Sequence, residues 1–170
     1  MARKTTPSFV HELPLIVSPG QEKQLLIRLD QARQLYNACL GETLRRLDLM
    51  RQSVLWQKAR KIDIEDKKAR TAAFALAKNT YSFSEYDIHA FAGKIKKSCS
   101  IKDHLDAFTC QKIATRAFKT VSLYMFEVLG KPRFKGFNQL VSVEGKSNAS
   151  GIRWKNDYVI WSKLKLTPIL

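Results

Sequence analysis

The chain has 170 residues, of which 45% are hydrophobic and only twelve are Gly or Pro (seven and five), so it suits one domain, or one domain with an insertion. Thirty Lys and Arg residues against fifteen Asp and Glu give a net charge of +15, which indicates a polyanionic partner, most commonly nucleic acid. The apolar runs are far shorter than the roughly 20 residues that a membrane helix needs, and three cysteines without a C-x-x-C pair argue against a zinc site. We therefore expect a cytoplasmic protein with reduced thiols.

The first predicted elements are a strand and a long helix. Residues 9–17 are rich in apolar side chains and predict a strand, with a proline that places it at an edge or a bulge. Ser18 can then cap a helix, Pro19 suits the first helical position, and Gln21 completes a capping box. Apolar residues at steps of three or four continue this helix to about Arg51.

Three further helical stretches follow. One covers about 54–78, and a capping-box pattern at Ser84 starts a shorter one that ends near Lys97. The last covers about 103–129, where an apolar face repeats at helical spacing. Gly130 is well placed to cap its C-terminal end.

The C-terminal part changes character and predicts short strands, at residues 140–143, 151–154, 158–161 and 164–166. An isolated hairpin is only marginally stable, so we expect strand 9–17 to join these strands. The predicted fold class is α+β, a small β-barrel or sheet interrupted by a helical insertion. The β domain would comprise residues 1–18 and 130–170, and the insertion residues 19–129.

Residues 130–136, which we call the basic loop, form the most informative motif. Lys131, Arg133 and Lys135 flank Phe134 on a backbone that Gly and Pro keep out of regular structure. Arginine can fork onto phosphate oxygens, and lysine acts as a point charge. Phe134 either stacks on a base or anchors the loop to the helices.

Two other groups of cations are candidates for nucleic-acid contact. Residues 144–154, the second basic segment, supply Lys146 and Arg153 among small residues that allow close approach. Arg45 and Arg46 lie beside an apolar stripe on the first helix and could follow a duplex, although an ordinary solvated face explains them equally well.

The sequence contains no recognisable catalytic or cofactor motif. It has no P-loop and no G-x-G-x-x-G. Its three histidines are scattered, and only three carboxylates lie beyond residue 110, which are too few and too dispersed to suggest a two-metal nuclease. We expect no cofactor and no bound metal.

Four stretches, taken together and in order, resemble a known family. They are residues 15–22, residues 36–40, Gln111 with residues 116–118 leading into the basic loop, and residues 143–154 with 161–166. In this order they are similar to the N-terminal half of the TnpB (OrfB) proteins of bacterial insertion sequences, which are related to type V CRISPR effectors.

This resemblance implies a wedge domain interrupted by a helical recognition lobe, and guide RNA and target DNA as partners. Tyr36 and Asn37 are then expected to face the duplex. The family's RuvC-like nuclease domain and zinc element would follow residue 170, so this chain is expected to bind without cleaving, as a truncated product or beside a separately encoded RuvC-like half. The alternatives are a stand-alone, repressor-like DNA-binding module, a vestigial transposase product, and a nuclease with unrecognised carboxylates.

Overall fold

The computed structural model describes residues 10–169 and confirms the α+β class. Within that range, six helices and four strands follow in chain order: β1 (Leu15–Ile16), α1 (Pro19–Gln52), α2 (Val54–Lys61), α3 (Lys67–Thr80), α4 (Glu85–Ser98), α5 (Ile101–His104), α6 (Ala107–Met125), β2 (Ile152–Lys155), β3 (Tyr158–Trp161) and β4 (Leu164–Pro168). The helices separate β1 from the other strands. The division into a β domain and a helical insertion stays a prediction.

The strands form one antiparallel sheet in the order β1-β4-β3-β2. The first strand therefore joins the C-terminal strands as predicted, with Leu15 opposite Pro168. The sheet is open and is not a barrel. The predicted strand 9–17 is much shorter than expected: Phe9 lies outside the described residues, and only two residues form β1. Pro14 has no N–H to donate, although its carbonyl accepts a hydrogen bond from Ile169 N at 2.8 Å.

The predicted strand at residues 140–143 is absent, because this segment lies along α6 instead. Arg116 of α6 donates to the carbonyl of Ser142 at 3.2 Å, and Leu140 is buried in the core. The other predicted C-terminal strands are present. Asn156 and Asp157, both with positive φ, form the two-residue turn between β2 and β3, as a type I′ hairpin requires.

The helix starts follow their capping residues. Ser18 and Gln21 form the predicted capping box at α1, with distances of 3.3 and 2.9 Å. The predicted helix 54–78 is two helices, because α2 ends at Lys61 and Asp66 caps a new helix. The predicted helix 103–129 is divided in the same way by Asp106, which caps α6.

The end of α6 differs from the prediction. The helix ends at Met125, and Glu127 adopts the left-handed conformation (φ 60°) expected of a glycine cap. The N–H groups of Glu127 and Val128 donate to the carbonyls of Tyr124 and Leu123 at 3.1 and 3.0 Å, which is a Schellman motif. Gly130 is therefore not the cap, and residues 126–136 are irregular.

One hydrophobic core joins the helices to the sheet. Helix α6 packs against both α1 and α4, and buried residues of all three helices share a cluster with Leu140 and Trp161. Cys39 and Cys110 lie in this core, where burial raises the pKa of their thiols to about 12 and about 11. Cys99, by contrast, is exposed.

A polar junction fixes the sheet to the helices around Trp161. Buried Arg28 of α1 donates to the Trp161 carbonyl at 2.6 Å, and its guanidinium lies 5.0 Å from the indole ring. Asp106 accepts from the indole Nε1 at 3.3 Å and from Thr109 Oγ1 at 2.6 Å. Burial raises the pKa of Asp106, but these hydrogen bonds outweigh it and leave the pKa below its usual value.

Gly151 completes this junction. It has a φ of +77°, and a Cβ there would lie 2.9 Å from the carboxylate of Asp106. Only glycine fits both the conformation and the space, so the chain can enter β2 directly beside the capping carboxylate.

Candidate nucleic-acid interface

The basic loop is fastened to α1 through its own backbone. Asn37 Nδ2 donates to the carbonyl of Lys135 at 2.8 Å, and the N–H of Lys135 donates to Asn37 Oδ1 at 2.8 Å. Arg33, one turn earlier on α1, donates to the same carbonyl at 3.3 Å. The loop backbone is thereby held in place while its charged side chains stay out of these bonds.

The cations of the basic loop point to solvent. Lys131 and Arg133 are exposed, and Lys135 is half-buried. Within residues 10–169, none of the three has an ion pair with a carboxylate. They are therefore free to meet an external anion without first breaking an internal salt bridge.

Phe134 contacts α1, and its proposed stacking on a base stays a prediction. A Cβ placed on Gly41 would lie 3.5 Å from the ring, so the ring lies directly over this glycine of α1. It is nevertheless 57% exposed. One part of the ring contacts the helix, and the remainder is open for a base to stack on.

The second basic segment is fixed mainly by α6. Lys112 pairs with Glu144 at 3.3 Å, and Lys146 Nζ donates to Gln111 Oε1 at 2.9 Å. Asn148 is used internally, since its side chain binds both the N–H and the carbonyl of Trp154. Gly145 serves a contact within the chain, since a Cβ there would lie 2.7 Å from the carbonyl oxygen of Ile152. The expected close approach of a ligand to the small residues stays a prediction.

Lys146 and Arg153 come together at a shallow depression of about 260 Å³ in the second basic segment. Asn148 and Trp154 also line it. Lys146 is exposed and Arg153 is half-buried. The depression has two cations beside an indole ring, a combination that suits a phosphate with a neighbouring sugar or base.

Arg45 and Arg46 differ in how far they are available. Both bind Glu42, at 2.8 and 2.7 Å, and Arg46 also donates to the carbonyl of Ser82 at 2.6 Å. The Arg46 side chain is only 15% exposed, whereas that of Arg45 is 58% exposed. Arg46 therefore connects α1 to the turn before α4, and Arg45 alone extends outward.

Tyr36 does not lie at this surface. It is 4% exposed and belongs to the core, so its ring does not face a duplex as the resemblance implied. Asn37 is half-buried, and both ends of its amide bind the backbone of Lys135. The role of Asn37 is to position the basic loop. Tyr36 is not a candidate for contact with the ligand.

The sequence did not reveal the seat of the basic loop on α1. Arg33, Asn37 and Gly41 are spaced by four residues, so they share one face of the helix, and the loop lies along that face. The available signal was a stripe of polar and small residues on a helix whose buried side is otherwise apolar. Its partner segment, however, lies 98 residues away from Asn37 in the chain.

Among residues 10–169, no three His, Cys, Asp or Glu side chains converge in a way that could hold a metal ion. No helix in that range has both the length and the apolar character to cross a membrane. No protein-family model matches the sequence, and no curated protein or solved structure matches it either.

Proposed function

We propose that this chain binds nucleic acid through the basic loop and the second basic segment. The strongest support is that the backbone of the basic loop is fixed while the charges on its side chains are unpaired within residues 10–169. Asn37 holds the loop at Lys135, while Lys131 and Arg133 are exposed and have no carboxylate partner among the described residues. Because the loop is already ordered, binding a ligand there costs little conformational entropy, and this favours affinity.

The net charge of +15 and the C-terminal excess of cations support the same proposal. Beyond residue 109 the sequence has eleven basic and three acidic residues, a net of +8. Phosphate contacts of this kind fix position and orientation without reading base sequence. Phe134 and the depression beside Trp154 offer aromatic surfaces next to the cations, which suits RNA or an opened duplex better than a smooth double helix.

From the resemblance given above, we further propose guide RNA and target DNA as the ligands. The chain would act as the wedge and recognition-lobe part of a TnpB-like, RNA-guided protein and would bind without cleaving. The order of the four similar stretches along the sequence supports this assignment. In such a system base pairing provides most of the sequence specificity, and the protein grips the backbone.

The test is a salt titration of the full chain with a structured RNA and with duplex DNA. If about six phosphates are neutralised, the logarithm of the affinity should fall with the logarithm of salt concentration at a slope of roughly −4 to −5. The double variant Lys131→Ala/Arg133→Ala should weaken binding and make this slope shallower by about 1.5 to 2.

The control is Lys94→Ala/Lys97→Ala, which removes the same charge from two exposed positions on α4. It should leave affinity and slope close to those of the wild type. A flat salt dependence of the wild type would refute the proposal. Equal effects of the two double variants would show that only total charge matters and that the basic loop is not the site.

A further inference from the structure

A second cationic and aromatic surface shares no lining residue with the basic loop. It is a cleft of about 750 Å³ between the α2–α3 hairpin and the ends of α1 and α6. Its lining contains four cations, three aromatic rings and one carboxylate: Arg51, Arg60, Arg70, Lys78, Trp56, Phe74, Phe126 and Glu127. We call it the aromatic cleft. Nothing in the proposed function uses it.

The spacing of residues on two short helices builds this cleft. Trp56 and Arg60 are four apart on α2, and Arg70, Phe74 and Lys78 are each four apart on α3. Both sets therefore form stripes, and the two stripes face each other across the hairpin. The rings of Trp56 and Phe74 meet edge to face at 4.7 Å, which joins the helices at the base of the cleft.

Two of the cations serve the fold. Arg70 donates to the carbonyl of Ile62 at 2.7 Å and lies over the Phe74 ring, and Arg51 donates to the carbonyl of Met125 at 3.1 Å. They hold the α2–α3 turn and the end of α6 in place. Their charge remains in the cleft.

The other two cations are available to a ligand. Arg60 is exposed and, within residues 10–169, has no ion pair. Lys78 lies over the ring of Phe126, 5.7 Å from its centroid. Phe126 itself is 66% exposed, because the Schellman turn at the end of α6 directs it outward. The cleft thus presents a free guanidinium, an ammonium beside the Phe126 ring, and the exposed part of that ring.

We propose that the aromatic cleft binds an unpaired nucleotide, with its base stacked on Phe126 and its phosphate held by Arg60 and Lys78. Four cations against one carboxylate favour an anionic ligand over a neutral apolar peptide. The volume lies within the range of small-ligand sites. The inference rests on the chain being a nucleic-acid-binding protein, as proposed above, but it concerns a different surface and a single-stranded element.

The direct test compares two duplexes with equal numbers of phosphates, one blunt and one with a three-nucleotide single-stranded 3′ overhang. The wild-type chain should bind the overhang duplex about tenfold more tightly, since one stacked base contributes a factor of this order. Phe126→Ala should abolish the preference without changing the affinity for the blunt duplex. Leu76→Ala, an exposed apolar position of α3 outside the cleft, should retain it.

Charge variants test the phosphate contact separately. Arg60→Ala should lower the affinity for the overhang duplex about fivefold, and Lys58→Ala, an exposed cation on the same helix but outside the cleft, should not. Glu127→Gln should raise this affinity, because it removes the one carboxylate of the lining and leaves a residue with the same backbone preference. Equal behaviour of Arg60→Ala and Lys58→Ala would contradict the assignment.

A trinucleotide that contains 2-aminopurine separates this inference from the proposed function. Stacking should quench its fluorescence in the wild type and not in Phe126→Ala. Quenching without duplex binding would support nucleotide binding in the aromatic cleft and overturn the basic-loop proposal. Duplex binding that depends on Lys131 and Arg133, without quenching or overhang preference, would support the basic-loop proposal and overturn the inference on the cleft. If the wild type is a dimer and Phe126→Ala is a monomer, a second copy of the chain occupies the cleft. That result would overturn the inference.

Discussion

Asn37 and Lys135 are joined by two hydrogen bonds, each 2.8 Å long, in which the side-chain amide of one residue pairs with the backbone of the other. The side-chain amide offers one hydrogen-bond donor and one acceptor, as the backbone of a neighbouring β-strand would. It fixes an irregular loop to the middle of a 34-residue helix. The cations of the loop are thus positioned by a residue that makes no contact with the ligand in our proposal.

Replacing Asn37 with Ala should therefore weaken nucleic-acid binding indirectly. The backbone N–H of Lys135 loses its partner and the carbonyl keeps only Arg33, so the free energy of unfolding should fall by about 1–3 kcal/mol. We expect binding to weaken several-fold while the salt slope stays near the wild-type value, because the loop cations remain. Urea denaturation and salt titration measure the two effects. Gln34→Ala, which removes an exposed hydrogen bond to Asp30 on the same helix, is the control.

Two helix-capping aspartates should differ in their contribution to stability. Asp106 accepts hydrogen bonds from the N–H groups of Phe108 and Thr109, from the Thr109 hydroxyl and from the Trp161 indole. Among the described residues, the Asp66 side chain accepts a hydrogen bond only from the N–H of Ala69. Asp66→Ala should cost about 1 kcal/mol, the ordinary value for a cap.

Asp106→Ala should cost distinctly more, about 2–4 kcal/mol, because it also leaves buried donors unpaired at the junction of sheet and helices. Chemical denaturation of both variants checks this. Similar losses for the two would show that the link to Trp161 adds nothing. A change in near-ultraviolet circular dichroism for Asp106→Ala alone would support the link through the indole.

Local signals in the sequence were enough for most elements of the fold. The capping box at Ser18 marks the start of α1, and the turn at Asn156 and Asp157 marks the β2–β3 hairpin. The marginal stability of an isolated hairpin predicted that β1 joins the C-terminal strands, but it did not identify β4 as the partner. The end of α6 could not be predicted in this way, because Glu127 adopts a conformation that sequence patterns assign to Gly130.

Errors elsewhere have tertiary causes. Residues 140–143 have the composition of a strand, but Arg116 binds the carbonyl of Ser142 and keeps the segment on α6. Tyr36 was expected at the duplex from the resemblance alone, whereas its place on the apolar side of α1 puts it in the core. The cations of the candidate site could be chosen from composition. Sequence patterns could not show that Asn37 positions these cations or that Arg46 binds the carbonyl of Ser82. Both depend on contacts between segments that are distant in the chain.

The ion pairs of Glu42 should make stability depend on acid pH. The hydrogen bond from Arg45 is the largest of the effects that lower the pKa of Glu42 from 4.5 to about 2. Burial opposes it, and the hydrogen bond from Arg46 and the charges of both arginines add to the lowering. Because the folded-state pKa is depressed, the stabilisation is complete above about pH 4.5 and is lost as the pH falls towards 2. Glu42→Gln should lower stability by about 1–2 kcal/mol at pH 7, since both pairs are partly exposed.

The difference between wild type and Glu42→Gln should shrink between pH 4.5 and pH 2, where denaturation can be followed by circular dichroism. Asp48→Asn is the control, since Asp48 is exposed on the same helix and forms no ion pair within the described residues. A difference that stays constant across this range would contradict the pairing.

Gly41→Ala tests the seat of Phe134 on α1. Glycine within a helix is less favourable than alanine by about 1 kcal/mol, so the substitution should stabilise the chain by up to that amount. The new methyl group would lie 3.5 and 3.7 Å from two carbons of the Phe134 ring, which is ordinary van der Waals contact, and nucleic-acid binding should be unchanged. Gly93→Ala on α4, where nothing lies within 4 Å, gives the reference gain. Gly41→Leu should displace the ring, and we expect it to weaken binding while α1 remains helical. If Gly41→Leu binds as the wild type does, Phe134 has no part in holding or presenting the basic loop.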